Sequence, residues 1–178
     1  MKKNVIILAA AILLVSIAVY QNISSSQSKD AQALEAAAKP GFLAPAFSLQ
    51  DISGKSFTVG GERDKPLVVN FWASWCDPCK AEAPHLVELY NRYQDRFDLY
   101  AVNATQLDTQ EDAEKFAKQY AFPFPVLLDK KGKAIDLYQI DGFPISFLID
   151  RHGVIQDMIV GLVSPQEMER KITALFRL

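Results

Sequence analysis

The chain holds two cysteines, Cys76 and Cys79, in the stretch Trp72-Ala-Ser-Trp-Cys-Asp-Pro-Cys-Lys-Ala-Glu-Ala-Pro84. Two thiols separated by two residues can act as a structural staple, supply half of a metal site, or exchange electrons with a second disulfide. As a staple the pair is weak, because closing so short a loop removes little chain entropy. As a zinc clamp it lacks partners: only His85 and His152 are available, one just after Cys79 and one in a remote turn, and neither has finger-like spacing. No metal is expected, and redox exchange is the chemistry this spacing favours.

Such a pair needs a rigid support. Pro66-Leu-Val-Val-Asn-Phe-Trp-Ala73 is a continuous β-branched and aromatic run, as expected for a strand buried on both faces. Behind the cysteines Leu86, Leu89, Tyr90 and Tyr93 recur at helical spacing, and Phe97–Asn103 reads as a second buried strand. Strand, helix, strand implies a right-handed parallel crossover. Cys76 then falls just past the C-terminal end of a central strand, where the active groups of open α/β sheets gather. It also opens a helix, whose unpaired N–H groups and dipole stabilise a thiolate. Cys79, one turn further in, is expected to be more buried and less acidic, which makes Cys76 the attacking sulfur and Cys79 the resolving one.

The flanks fill out the fold class. Phe47–Asp51 and Lys55–Val59 alternate in polarity around Ile52-Ser-Gly54, a hairpin signature. Asp108-x-x-Glu111 has capping-box-like spacing before a helical face of Ala113, Phe116, Ala117 and Tyr120. A short strand is expected at Phe124–Leu128, a hairpin at Ile145–Ile149 and Val154–Val160, and a closing helix after Ser164-Pro165-x-Glu167. The class is α/β with a central mixed sheet flanked by helices.

The termini and the charge set the context. Met1-Lys-Lys-Asn precedes an apolar run from Val5 to Tyr20 broken only by Ser16, so residues 1–22 read as a signal-anchor with the N-terminus inside. Cleavage after Ser16-Ile-Ala18 stays open as the other reading, and the absence of a nearby cysteine excludes lipoprotein attachment. Residues 23–39, polar and small, read as a flexible tether, and residues 40–178 as one domain on the extracytoplasmic side. A formal net charge of −2 gives no sign of nucleic-acid binding.

With Trp75 immediately before Cys76, Pro84 five residues after Cys79, and Phe143-Pro-Ile-Ser-Phe-Leu-Ile149 opening a late strand, the chain resembles the thioredoxin superfamily. The N-terminal anchor, the leading hairpin, the inserted βα segment between Asn103 and Leu127, and Glu82 three residues after Cys79 resemble the membrane-tethered ResA/TlpA/CcmG group of thiol–disulfide oxidoreductases. The resemblance implies a thioredoxin-like fold with no cofactor, Cys76 as nucleophile, Cys79 as resolving thiol, Pro144 as a cis-proline facing the disulfide, and Glu82 as a glutamate near the active site. Helical spacing agrees for Glu82, which at i+3 shares a face with Cys79 and is placed to take its proton. An ordinary solvated carboxylate and a proline that merely begins a strand are the bland readings of Glu82 and Pro144. Trp75, Pro78, Phe143 and Pro144 are the candidate substrate-binding residues, although Trp72, Trp75 and Phe143 read equally well as core. The chain departs from cytoplasmic thioredoxins in carrying Asn70 where they bury an aspartate, and from some relatives in carrying Thr105 and Gln106 where they place a second acid.

Direction follows from thiolate stability, since stabilising the reduced form makes the couple more oxidising, by about 30 mV for about 1.4 kcal/mol. Asp77, next to Cys76, disfavours a neighbouring thiolate and tunes the pair towards a reductant. By resemblance, the substrate is a disulfide-bearing extracytoplasmic protein, with the CxxCH segment of apocytochrome c first, and the electron donor is a membrane thiol carrier of the CcdA or DsbD kind. A DsbA-like oxidant and a tethered, non-catalytic peptide-binding module are the rival readings.

Overall fold

A computed structural model of the chain describes residues 13, 15–17 and 35–177. By internal contacts the chain forms two units, Met1–Leu34 and Glu35–Leu178. In the first unit residues 13 and 15–17 are helical; the rest of the expected signal-anchor and the tether up to residue 34 lie outside the described residues. Among the described residues no helix is long and apolar enough to cross a membrane. The second unit begins ahead of the expected boundary at Pro40. Ala36 bridges Leu43, and the Leu43 N–H donates to the Glu35 carbonyl at 3.1 Å, so this end of the expected tether is tied down.

In chain order the second unit contains β1 (Phe47–Gln50), β2 (Ser56–Val59), β3 (Leu67–Trp72), α1 (Asp77–Tyr93), β4 (Asp98–Asn103) and α2 (Gln110–Gln119). There follow β5 (Val126–Leu128), α3 (Lys133–Tyr138), β6 (Ile145–Ile149), β7 (Ile155–Val160), α4 (Pro165–Ala174) and a 3-10 turn, Leu175–Arg177. The main sheet has the order β5-β4-β3-β6-β7, parallel from β5 to β3 and antiparallel from β3 to β7, and β1 and β2 form a separate antiparallel pair. All six residues of β3 are buried, in keeping with a strand at the centre of a sheet covered on both faces.

Strand periodicity divides the core in two. Leu67, Val69 and Phe71 join Phe147, Ile149 and Tyr138 on one face; Val68 and Trp72 join Leu148, Leu86 and Met168 on the other, together with both cysteines. Asn70 lies between Val68 and Trp72 on β3, and so points to the cysteine side of the sheet. There it meets Ser146, its register partner on β6.

Two expectations of local structure are corrected. The cap of α2 is Thr109, whose hydroxyl accepts the Asp112 N–H at 3.0 Å, and not Asp108 paired with Glu111. The frame is off by one because Asp108 has other partners. Helix α3 was not foreseen: six residues are too few to show a period. Its start is fixed from a distance by the buried Asp129 carboxylate, which accepts the Ala134 and Ile135 N–H groups at 2.8 and 3.0 Å. Elsewhere Ser164 caps α4 from the expected position, accepting the Glu167 N–H at 3.2 Å.

Leu148 is fully buried on the β6 strand that carries Ser146. Leu148→Ala is expected to destabilise the domain by about 2–5 kcal/mol, read as a shift of the urea unfolding midpoint.

Candidate functional site

The cysteines sit where β3 turns into α1. The Cys76 N–H donates to the Ala73 carbonyl at 3.2 Å, and Cys76 is the N-cap of α1, its sulfur accepting the Cys79 N–H at 3.1 Å. Asp77 and Pro78 form the first turn, the place where a proline's missing N–H costs no helical bond. The two cysteines are joined as a disulfide, with Cα atoms 5.2 Å apart. Their exposures, 5% for Cys76 and 3% for Cys79, leave little of the burial difference expected between them. What differs is the setting of each sulfur: Cys76 caps the helix N-terminus, and Cys79 lies one helical turn before Glu82 on the buried face.

Glu82 is 1% exposed, which rules out the solvated reading. It belongs to the buried stripe Cys79, Glu82, Ala83, Leu86 and Leu89 on the inner face of α1. One carboxyl oxygen accepts the Asn70 side-chain amide at 2.9 Å; the same amide donates to the Ser146 hydroxyl, also at 2.9 Å. The other oxygen, Oε1, has no hydrogen-bond partner. Loss of water raises the Glu82 pKa to about 7, against the single compensating bond from Asn70. A carboxyl that titrates there, placed beside a thiol of ordinary pKa about 8.5, is matched to move a proton at neutral pH.

The rim is apolar. Phe143–Pro144 is a cis peptide bond, and Pro144 is buried beside the start of β6. Trp75 is 55% exposed, donates its indole N–H to the Leu107 carbonyl at 2.9 Å, and meets the Phe143 ring edge-on at 5.8 Å. Phe143 is half-buried and packs against both apolar clusters. Pro78 is exposed on the first turn of α1. Trp72, by contrast, is core: it is buried and stacks on Phe116 at 4.5 Å.

Asp77 is exposed and pairs with Lys80 at 2.7 Å, a bond that holds its carboxyl below the usual range. Its field at Cys76 is therefore that of an ion pair in water, weaker than the lone charge read from the sequence. Sequence reasoning missed three contributors. Asn70 was seen only as a missing acid; its role as donor to Glu82 follows from strand parity. Ser146 carries no signal beyond its polarity in an apolar strand. Asp108 was assigned to a helix cap, yet it accepts the Ser74 N–H and hydroxyl at 2.7 and 2.6 Å.

Because the folded Glu82 pKa of about 7 lies above its ordinary 4.5, the native state holds the extra proton between those pH values, and stability is lost as pH rises through that window. The loss is on the order of 3 kcal/mol. Glu82→Gln cannot ionise, so its unfolding free energy, measured in urea on the oxidised protein, is expected to lack the decline that the parent shows between about pH 5 and 8.

Residues 40–158 match the AhpC/TSA family. The chain is 37% identical to the thioredoxin-like protein YneN of Bacillus subtilis, over 92% of this chain and 95% of that one. It is 33% identical to the thiol-disulfide oxidoreductase ResA of Bacillus cereus, covering 97% and 99% of the two chains. Among solved structures it is similar to StoA from Bacillus subtilis, with a TM-score of 0.63 and 29% identity over 71% of this chain and 95% of that one. The chain thus belongs to the AhpC/TSA family, has a thioredoxin-like fold, and is a thiol–disulfide oxidoreductase of the ResA type.

Proposed function

We propose that this oxidoreductase is an extracytoplasmic reductant of protein disulfides, tethered by residues 1–22 and recharged by a membrane dithiol carrier of the CcdA or DsbD kind. The observation that carries the direction is the buried, partly unsatisfied Glu82 carboxyl next to Cys79. When Glu82 is ionised its charge disfavours a thiolate at Cys79, and destabilising the reduced form lowers the reduction potential. Asp77 adds little once paired with Lys80. The helix N-terminus and the Cys79 N–H act the other way at Cys76, so that Cys76 remains the thiolate that attacks.

The cycle starts from the dithiol. The Cys76 thiolate attacks a substrate disulfide, forming a mixed disulfide and releasing one substrate thiolate, which takes a proton from solvent. Glu82, ionised, accepts the Cys79 proton. The Cys79 thiolate then attacks Cys76 Sγ, the mixed disulfide breaks, and the Cys76–Cys79 bond closes. The second substrate sulfur leaves as a thiolate that is protonated from solvent, to which Glu82 also returns its proton. Two electrons pass to the substrate, and the membrane carrier restores them. Tethering raises the effective concentration at that carrier.

For the substrate we favour the CxxCH segment of apocytochrome c, whose two thiols must be reduced before haem attaches; this choice rests on the resemblance to the ResA/TlpA/CcmG group. The Trp75, Phe143 and Pro144 surface supports a peptide-sized partner in an extended conformation, with Pro78 at its edge.

The reduction potential of the Cys76–Cys79 couple, equilibrated against thiol buffers at pH 7, is expected below about −220 mV. A value near about −120 mV would make the chain an oxidant and overturn the proposal. Cys76→Ser is expected to abolish exchange, and Cys79→Ser to accumulate a mixed disulfide with substrate, visible on a non-reducing gel; a Cys79→Ser protein that turned over normally would contradict the order of attack.

A further inference from the structure

The turn that carries Cys76 is held by a carboxylate that the exchange chemistry does not use. Asp108 lies in the loop between β4 and α2, and both its oxygens are filled. Oδ2 accepts the Ser74 N–H at 2.7 Å and the Asn103 side-chain amide at 2.8 Å. Oδ1 accepts the Ser74 hydroxyl at 2.6 Å and the Thr109 N–H at 2.9 Å. Ser74 stands two residues before Cys76, Asn103 is the buried last residue of β4, and Thr109 caps α2. A single ionised side chain therefore ties the cysteine turn to the end of a neighbouring strand and to the start of a helix, through charge-assisted bonds.

The same loop carries Leu107, which is largely exposed and whose carbonyl accepts the Trp75 indole N–H. Trp75 in turn meets Phe143, the residue before Pro144. The apolar surface beside the disulfide is thus built from two loops, and Asp108 is the charged group that fixes one to the other, beside the Trp75–Leu107 bond itself. We propose that Asp108 is a positioning residue that keeps the Trp75–Leu107 surface aligned with the disulfide, and so governs how well a peptide disulfide, as distinct from a small one, is engaged.

An aspartate fits this task where its amide does not. As Asp108 is placed, all four partners donate. Asparagine would turn an NH2 group towards two of them, and since only the Ser74 hydroxyl can turn to accept it, at least one bond is lost together with the charge that strengthens the others. A small disulfide needs only access to sulfur, whereas a peptide must also rest on Trp75 and Leu107. The inference deepens the reading that protein disulfides are the substrate.

The test compares the full chain with Asp108→Asn and with Ser74→Ala, which removes one of the four bonds. Stopped-flow tryptophan fluorescence follows exchange with a disulfide-bonded CxxC peptide and with cystamine, in whichever direction runs downhill. For Asp108→Asn the ratio of peptide to cystamine rate constants is expected to fall about tenfold, about 1.4 kcal/mol, through a higher KM for peptide. Ser74→Ala should show a smaller fall of the same sign, and acrylamide should quench Trp75 more readily in both. Peptide and cystamine rates that fall together, or a ratio within about twofold of the parent's, would overturn the inference. A reversed equilibrium with the ratio still reduced would instead contradict the reductant reading and leave Asp108 in its role.

Discussion

A carboxyl group buried one helical turn from the disulfide, on the same face of α1, is the constraint on which the site depends. Glu82 has one hydrogen bond, from Asn70, and one oxygen with none. A buried ionised carboxylate is costly unless its acceptors are filled, so the environment holds the group near its titration point instead of stabilising either form strongly. That half-satisfied state suits the proton transfer proposed for Glu82, and it also makes the group a stability liability. A second donor to Oε1 would stabilise the charge, lower the pKa, and take Glu82 out of the range that the proposed proton transfer requires.

The fold supplies this environment from three elements at once. Strand parity turns Asn70 of β3 and Ser146 of β6 to the same side of the sheet, and α1 lays its Cys79–Glu82 face over them. Neither polar strand residue makes sense as core alone; together they bridge to the helix through a single amide. The antiparallel pairing of β3 with β6 also brings Phe143 and Pro144 up beside the cysteine turn, because they immediately precede β6. The disulfide and the surface proposed for substrate are therefore positioned by the same pair of strands, while the Asp108 loop from β4 closes the other side.

Much of this was legible in the sequence, for identifiable reasons. The apolar run of β3 is continuous because both faces are covered, and the cysteines could be placed at its C-terminal end from that alone. Glu82 was legible through the family resemblance, with which its helical spacing to Cys79 agrees, but its burial was not: the signal lay in its membership of the stripe that continues through Leu86 and Leu89. Asn70 was visible as a departure and invisible as a partner, since a hydrogen bond between a strand and a helix depends on register. Asp108 and Thr109 are adjacent and both cap helices well, so local pattern alone could not show that Asp108 is drawn away by Ser74 and Asn103, neither of them its sequence neighbour. The pairing of Asp77 with Lys80 was likewise present in the sequence as an i,i+3 pair, and it weakens the field of Asp77 at Cys76.

The proposed proton transfer requires Glu82 to titrate near neutrality in the folded protein. Carbon-13 NMR of the side-chain carboxyl, in protein labelled at glutamate and assigned with Glu82→Gln, reads that midpoint directly. The account predicts a value of about 7 in the oxidised state. A midpoint near the ordinary 4.5 would mean that Glu82 is ionised throughout the neutral range with little drive to take a proton from Cys79, and the proposed mechanism would fail.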